Sequence, residues 1–206
     1  MSARPVLFPL FLKLEGRTVL LVGGNQEVEW KIPGLLASGA RVRLVSPTVA
    51  AGIRTFVDTG QVSWEQREFV AADLDGATLV IALHENNAVN EEIYREADAR
   101  GVLCNIVDQP ERCHFYYPAV VRRGQLQIAI STGGVSPALA SDIRRDLESQ
   151  YDSAYEAWVD ALGNARERVL RDVPRSPRRT KLLKRIASKS SFRSFSRRRA
   201  AAKETL

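Results

Sequence analysis

The stretch TVLLVGGNQEVEWK, residues 18–31, decides the fold class of this 206-residue chain. An apolar, β-branched run ends in Gly23-Gly24, after which apolar residues return at helical spacing. A strand that leads through glycines into a helix is typical of the first turn of a dinucleotide-binding fold, where backbone N–H groups approach a phosphate. The fingerprint G-x-G-x-x-G/A is incomplete, because Asn25 and Val28 stand where small residues are usual.

The two glycines allow two interpretations. Many turns between a strand and a helix carry glycine only because the backbone needs a positive φ, and the spacing favours neither this role nor a nucleotide site. Asparagine is the non-glycine residue that best tolerates a left-handed backbone, so Asn25 keeps the turn possible, although its side chain would crowd a phosphate. The end of the next strand, Ser46-Pro47-Thr48, has no carboxylate for a ribose, which argues against a generic dehydrogenase.

Strand and helix patterns alternate along the chain beyond this stretch. Such alternation predicts an α/β fold with a parallel, doubly wound sheet. Predicted strands lie at 18–22, 41–45, 62–65, 79–82 and 103–107, preceded by a short strand or extended lead-in at 6–14. Predicted helices lie at 26–38, with a kink at Pro33, and at 53–59 and 90–99. After Pro110 the pattern predicts a hairpin formed by 115–121 and 126–130 and then helices at 138–150 and 151–173.

Charge is distributed unevenly along the chain. Residues 166–206 hold 15 Lys and Arg residues and three acidic residues. The preceding residues hold 15 Lys and Arg residues and 21 acidic residues. The tail from residue 174 has only Phe192 and Phe195 as aromatic residues, too little for a core, which predicts a weak helix or disorder. No apolar run approaches the roughly 20 residues of a membrane span, no signal peptide is recognisable, and only two cysteines are present. We therefore expect a cytoplasmic protein without a membrane partner.

Asp108 follows the last predicted strand of the sheet, at the edge where open α/β sheets bind their ligands. A carboxylate there suits a general base or a metal ligand, although a turn aspartate ahead of Pro110 is the commoner role. Cys104 falls within a buried strand, where an inert thiol is expected, and the spacing of Cys113-His114 is not that of a structural zinc site. Asp108 and His114 are the candidate metal ligands.

The segment STGGVSP, residues 131–137, combines hydroxyls, glycines and N–H groups at a predicted helix start. This combination suits anion binding, and it also suits a capped helix with Ser136 as the N-cap and Pro137 after it. Several arginines follow Asp108 in the chain. Each one taken alone is expected to be a solvated charge, but together they suit an anionic ligand. They are Arg112, Arg122, Arg123, Arg144 and Arg145.

Taken together, these segments resemble the precorrin-2 dehydrogenases, NAD-dependent enzymes that oxidise precorrin-2 to sirohydrochlorin on the way to siroheme. The resemblance covers residues 8–150 in the family's order, and residues 151–155 resemble the helical extension of stand-alone members. It is carried by LFLKLEGRTVLLVGGN, Lys31, LLASGARVRLVSP, DLDGATLVIA, AVN, NIVDQP, FYYPAVVRRGQLQIAISTGGVSPALA and IRRDLE. The family usually has a third glycine and an alanine in place of Asn25 and Val28, and a Thr-Asp or Ala-Asn pair where this chain has Leu83-His84-Glu85.

The resemblance implies a Rossmann-like domain (1–113), a small α+β dimerisation domain (114–148) and a helical C-terminal domain (149–173). The composition adds the basic tail (174–206). It implies a homodimer that acts on an anionic tetrapyrrole, with Asp108 as the functional aspartate. NAD is expected at Gly23, Gly24, Asn25, Gln26, Glu27, Pro47 and Thr48. We expect the substrate at Ser131, Thr132, Gly133, Arg112 and Arg122.

Two further functions stay open from the sequence. Some members of the family also insert Fe²⁺ into sirohydrochlorin, and a weakened NAD site would leave ferrochelatase activity alone. A hypothesis of a different class is a nucleotide-sensing regulatory domain whose basic tail binds nucleic acid. The sequence shows no recognition helix or RNA-binding motif, so nucleic acid is not the expected partner.

Overall fold

The computed structural model describes residues 6–204, with side chains described as far as Arg199. The chain divides into two compact units, Met1–Tyr117 and Pro118–Leu206. This division falls a few residues after the boundary predicted at residue 113. None of the described helices combines the length and the apolar character that crossing a membrane requires.

The first unit is built on a five-stranded sheet in which every neighbouring pair is parallel. Its strands are β1 (Thr18–Val22), β2 (Arg41–Val45), β3 (Val62–Glu65), β4 (Ala77–Ala82) and β5 (Leu103–Ile106). The order in the sheet is β3-β2-β1-β4-β5, so the chain winds outward from β1 to β3 and then crosses to the other side of β1. The predicted doubly wound sheet is confirmed, and its switch point, where folds of this kind bind their ligands, lies between the carboxyl ends of β1 and β4.

Helices cover both faces of this sheet. They are α1 (Gln26–Glu29), α2 (Ile32–Ala37), α3 (Ala51–Asp58) and α4 (Asn87–Ala99), with 3₁₀ turns at Ala71–Leu74 and Pro110–Arg112. Because side chains alternate along a strand, Leu21 of β1 packs with Val28 and Ile32 on one face. Its neighbour Leu20 packs with Ile93 of α4 on the other.

The helix predicted over 26–38 is two helices. Pro33, the second residue of α2, has no N–H group, so it cannot bond the carbonyl of Glu29 and continue α1. At the junction the N–H group of Lys31 donates to the carbonyl of Val28 at 3.1 Å. The break is therefore complete, where the sequence predicted a kink.

The lead-in at 6–14 forms no strand in its described residues. Leu14 is buried, whereas Phe8 and Phe11 are largely exposed. The short strand, one of the two predicted alternatives, is therefore not formed in the described residues.

The second unit begins with an antiparallel hairpin and continues as helices, as predicted. Its elements are β6 (Ala119–Arg123), β7 (Leu126–Ile130), α5 (Pro137–Gln150), α6 (Ala154–Asp172), α7 (Pro177–Ile186) and α8 (Lys189–Glu204). The guanidinium of Arg123 donates to the carbonyl of Tyr151 at 2.7 Å and ties the end of α5 to the hairpin.

The basic tail forms the two helices α7 and α8, so the structure supports the helical alternative over disorder. Phe192 stacks on Tyr155 of α6 with ring centroids 4.1 Å apart, and Phe195 lies 5.2 Å from the ring of Trp158. These two phenylalanines attach the tail to α6, although no side chain described between residues 174 and 199 belongs to the buried core.

Candidate active site

The turn between β1 and α1 requires both of its glycines. Gly23 has a φ of 104°, and a Cβ atom there would overlap the carbonyl oxygen of Leu83. A Cβ atom on Gly24 would overlap the carbonyl oxygen of Thr48. The carbonyl of Gly24 also accepts a hydrogen bond of 2.6 Å from the N–H group of Ala50. The backbone of the turn thus packs directly against the loops that follow β2 and β4.

Asn25 does not have a left-handed backbone. Its φ of −84° and ψ of 175° are extended, and its Oδ1 atom accepts a hydrogen bond of 3.1 Å from the N–H group of Val28. The expectation that asparagine serves the turn by tolerating a left-handed conformation is therefore wrong. Asn25 is the N-cap of α1 and occupies an N–H group that would otherwise face a ligand.

The loop after β2 contacts the glycine turn and is held in shape by its own hydrogen bonds. The hydroxyl of Ser46 donates to the carbonyl of Thr48 at 2.7 Å, and the indole of Trp64 donates to the carbonyl of Ser46 at 2.9 Å. The structure therefore brings together the two segments in which the sequence predicted NAD contacts. The two glycines of the turn lack side chains that would keep a dinucleotide away from the backbone, and the side chains of Gln26 and Glu27 are exposed. Both features fit a dinucleotide site.

His84 follows β4 at the same edge of the sheet. Its N–H group donates to Oδ1 of Asn90 at 3.1 Å, and its carbonyl accepts from Nδ2 of the same buried asparagine at 2.9 Å. Its Nε2 atom lies 3.3 Å from a carboxylate oxygen of Glu68. The residues Leu83-His84-Glu85 were recognised as a departure from the family pattern. The hydrogen bonds between His84 and Asn90 were not predicted, because Asn90 lies on the following helix.

Asp108 displays its carboxylate at the carboxyl end of β5. Its φ of 61° is the one positive φ among non-glycine residues between 6 and 204, and its side chain is exposed. Aspartate is among the few residues that adopt this conformation, at a cost of about 1 kcal/mol. The N–H group of Val107 donates to the carbonyl of Ala82 at 2.9 Å and anchors the residue before it to β4.

Lys31 lies close enough to Asp108 for their charges to interact. Burial lowers the pKa of its ammonium group, and the negative charges of Glu27 and Asp108 act against that change. Its Nζ atom lies 4.6 Å from the centre of the Tyr117 ring. Lys31 is one of the residues that carry the family resemblance, but the sequence predicted no role for it. Its position depends on the break between α1 and α2.

The arginines predicted to bind substrate differ in their surroundings. The guanidinium of Arg112 is engaged, at 2.5 Å from the carboxylate of Glu91 and 2.7 Å from Oε1 of Gln109. These contacts tie the turn after Asp108 to α4. Arg122 is exposed on β6 of the second unit.

His114 uses both ring nitrogens within the protein. Nδ1 accepts a hydrogen bond of 3.2 Å from the N–H group of Cys104, and Nε2 lies 3.3 Å from the carboxylate of Asp98. Burial raises the pKa of the Cys104 thiol to about 12, as expected for an inert core cysteine. Within the part of the chain that the structure describes, no three His, Cys, Asp or Glu side chains are grouped to hold a metal ion.

The loop at 131–134 closes on itself. The hydroxyl of Ser131 accepts from the N–H group of Gly133 at 3.1 Å, and the hydroxyl of Thr132 donates to the carbonyl of Ser136 at 3.0 Å. Ser136 caps α5 by accepting from the N–H group of Leu139 at 3.2 Å, and Pro137 follows it. The predicted cap is confirmed, and anion binding by this loop stays a prediction.

Comparisons with known proteins cover both units. A family model described as "Putative NAD(P)-binding" matches residues 10–119, and one described as "Sirohaem biosynthesis protein central" matches residues 123–150. The siroheme synthase of Photorhabdus laumondii is 37% identical over 161 residues, 78% of this chain and 34% of that protein. That of Actinobacillus pleuropneumoniae is 32% identical over 184 residues, 89% of this chain and 38% of that protein. The chain spans about a third of the length of these curated relatives.

A solved structure matches almost from end to end. The structure of SirC, a precorrin-2 dehydrogenase, superposes with a TM-score of 0.77 and 30% sequence identity. The match covers 93% of this chain and 98% of SirC. Together with the parallel sheet and its glycine turn, these similarities show that the chain belongs to the precorrin-2 dehydrogenase family.

Proposed function

We propose that this chain oxidises precorrin-2 to sirohydrochlorin with NAD as the hydride acceptor. The observation that carries the proposal is the similarity to SirC over 98% of that protein's length. The siroheme synthases share only the region corresponding to this chain, about a third of their own length. The proposal therefore concerns the activity of this region.

The residues at the carboxyl edge of the sheet suit separate tasks in this reaction. The turn at Gly23-Gly24 and the adjoining Thr48 would hold NAD, which when bound accepts the hydride. The exposed carboxylate of Asp108 would take the proton that the substrate loses. Arg112 would position the Asp108 turn through its contacts with Glu91 and Gln109 rather than meet the substrate.

The surroundings of β2 favour NAD over NADP. A 2′-phosphate is usually bound by an arginine just after this strand, but the residues there are Ser46-Pro47-Thr48. Arg43, within the strand, is paired with Glu65 at 3.0 Å. We expect NADP to bind at least about tenfold more weakly than NAD in calorimetric titrations. Equal or tighter binding of NADP would contradict this preference.

The activity is tested by anaerobic incubation of the chain with precorrin-2, with and without NAD. NAD-dependent formation of sirohydrochlorin, followed by its visible absorbance, is the expected result, and no turnover above a protein-free control would contradict the proposal. A parallel incubation with Fe²⁺ tests the ferrochelatase alternative. Iron insertion faster than in the protein-free control would add that activity.

We also infer that the chain forms a homodimer. The β6–β7 sheet has only two strands within residues 6–204, and a lone two-stranded sheet with open edges is of marginal stability in water. A partner hairpin could cover one of these edges. Light scattering coupled to size-exclusion chromatography should give twice the mass of one chain, and a monomer at micromolar concentration would refute the inference.

A further inference from the structure

We propose that Lys31 is a substrate-binding residue whose ammonium group binds a carboxylate of the anionic tetrapyrrole beside Asp108. The inference rests on the proposed function and goes beyond it by assigning a cation to the reacting end of the substrate. Four observations support it: the place of Lys31 in the fold, its aromatic neighbour, its lack of an ion-pair partner and the position of Asp108 after β5, which is not adjacent to β1 in the sheet.

The break between α1 and α2 determines where Lys31 lies. Because Pro33 ends the regular helix, Lys31 stands at a corner, with φ −84° and ψ −26°, and its carbonyl accepts from the N–H group of Leu35. The adjacent Ile32 packs in the same hydrophobic layer as Val107 and Phe115. The corner and the chain that leaves β5 therefore lie on the same face of the sheet.

The aromatic neighbour stabilises a cation at this corner. The Nζ atom of Lys31 lies 4.6 Å from the centre of the Tyr117 ring, within the range of a cation–π interaction. The side chain is half-buried, and burial lowers its pKa because the charged form loses water. The site is thus built around a positive charge that water solvates only in part.

The ammonium group has no ion-pair partner among the described residues, where no carboxylate oxygen lies within 4.0 Å of it. Arginines of the same unit differ in this respect: Arg43 and Arg67 pair with Glu65 and Asp73, and Arg112 pairs with Glu91. Glu27 and Asp108 act on Lys31 only from farther away. A partly desolvated cation without a partner favours the binding of an external anion.

The sheet order favours the tetrapyrrole over the diphosphate of NAD as that anion. The turn after β1 and the loop after β2 pack against each other, whereas Asp108 follows β5, which β4 separates from β1. An anion held between Lys31 and Asp108 therefore lies near the proposed base, Asp108. A carboxylated substrate would be repelled by Glu27 and Asp108, and the charge of Lys31 offsets that repulsion.

The test replaces Lys31 by methionine, which keeps most of the length of the side chain and removes its charge. Sirohydrochlorin and NAD are titrated separately by fluorescence quenching and calorimetry. We expect the Kd of sirohydrochlorin to rise at least about tenfold and the Kd of NAD to stay within about twofold, while KM for precorrin-2 rises more than kcat falls. Lys31→Arg should restore most of the affinity. Lys13→Met, at an exposed lysine of the same unit, is the matched control and should bind like wild type.

The outcomes separate this inference from the proposed function. If the wild type oxidises precorrin-2 and Lys31→Met binds sirohydrochlorin equally well, the inference is wrong and the function stands. If the variant loses NAD affinity instead, Lys31 serves the cofactor and the inference is wrong. If the wild type neither oxidises precorrin-2 nor binds sirohydrochlorin, both are wrong. Should circular dichroism show that Lys31→Met does not fold, Lys31→Gln provides a second uncharged side chain for the same comparison.

Discussion

At the scale of single residues, Asp108 combines a left-handed backbone with an exposed carboxylate at the carboxyl end of β5. Such a conformation persists only where the surrounding structure enforces it, and it is enriched at functional sites. Here the enforcing contacts are the bond from Val107 to Ala82 and the engagement of Arg112 with Gln109. The strained position thus points to the same residue as the family resemblance.

Asp108→Asn separates the charge of this residue from its backbone. Asparagine tolerates positive φ at least as well as aspartate, so the variant should fold with an unchanged melting temperature. Loss of the base should lower kcat for sirohydrochlorin formation at least about 100-fold, measured anaerobically by absorbance. A folded Asp108→Asn with the wild-type rate would exclude Asp108 as the base, and His114 would be the next candidate.

Asn25 tests the glycine turn in the same way. Asn25→Gly removes the cap from Val28 at a cost of a few tenths of a kcal/mol and leaves the N–H group free for a phosphate. We expect the Kd of NAD to fall about threefold. Asn25→Asp keeps the cap but adds a negative charge, so its Kd should rise by about tenfold. If calorimetry finds both variants equal to wild type, the cap does not face the cofactor.

At the scale of elements, charged side chains join the edge of the sheet to the 3₁₀ turn at Ala71–Leu74. Arg67 donates to both carboxylate oxygens of Asp73 and also pairs with Glu65, while the N–H group of Val70 donates to Asp73 at 2.9 Å. Burial raises the pKa of the Asp73 carboxyl, but Arg67 and the bond from Val70 outweigh it, so the pKa lies below its usual range. Asp73 therefore stays charged although it is only 3% exposed.

Because of this network, we expect the free energy of unfolding of the first unit to fall when the solution is made acidic. Because the folded pKa of Asp73 is lower than the unfolded one, its contribution is complete above about pH 4 and is lost as pH falls through the folded pKa. Asp73→Asn should lower the free energy of unfolding at pH 7 by about 2 kcal/mol. It should also make that free energy fall less steeply between pH 7 and pH 3, because the variant lacks the carboxylate that is protonated there. Urea unfolding between pH 7 and pH 3, run beside the exposed control Asp75→Asn, measures both effects. Parallel acid limbs for wild type and Asp73→Asn would contradict this account.

At the scale of the whole molecule, the strongly basic tail belongs to the folded second unit. Its charge does not prevent folding because its cations are mostly exposed, while Phe192 and Phe195 pack against aromatic residues of α6. Removing residues 174–206 would uncover Tyr155 and Trp158. We therefore expect the tail to contribute to the stability of the second unit through these two rings.

Phe192→Ala should lower the free energy of unfolding by about 1–2 kcal/mol, since it removes a half-buried ring and its stacking on Tyr155. Thermal and urea unfolding followed by circular dichroism measure the change. Phe8→Ala, at a ring that is 84% exposed, is the matched control and should unfold like wild type. Equal stability of Phe192→Ala and wild type would show that α8 contributes nothing to the second unit.

Much of the fold could be predicted because it depends on local pattern. The runs at 18–22, 41–45 and 62–65 coincide with β1, β2 and β3. The first run is continuously apolar or β-branched, as is typical of a strand buried on both faces, and the other two are recognisable because apolar and polar residues alternate. The cap at Ser136-Pro137 was recognisable for a similar reason, because its hydrogen bond spans only three residues. The break before Pro33 was underestimated, since the pattern of apolar residues continues through it.

The sequence by itself determined the order of strands and helices, the glycine turn and the place of Asp108 after a strand, because each depends on neighbours along the chain. The tertiary structure alone decided which groups meet. Gly24 needs glycine because the carbonyl of Thr48 lies against it, Lys31 lies over the ring of Tyr117, and the phenylalanines of the tail pack against α6. These contacts join residues far apart in sequence, and no local periodicity encodes the close approach of two distant backbones.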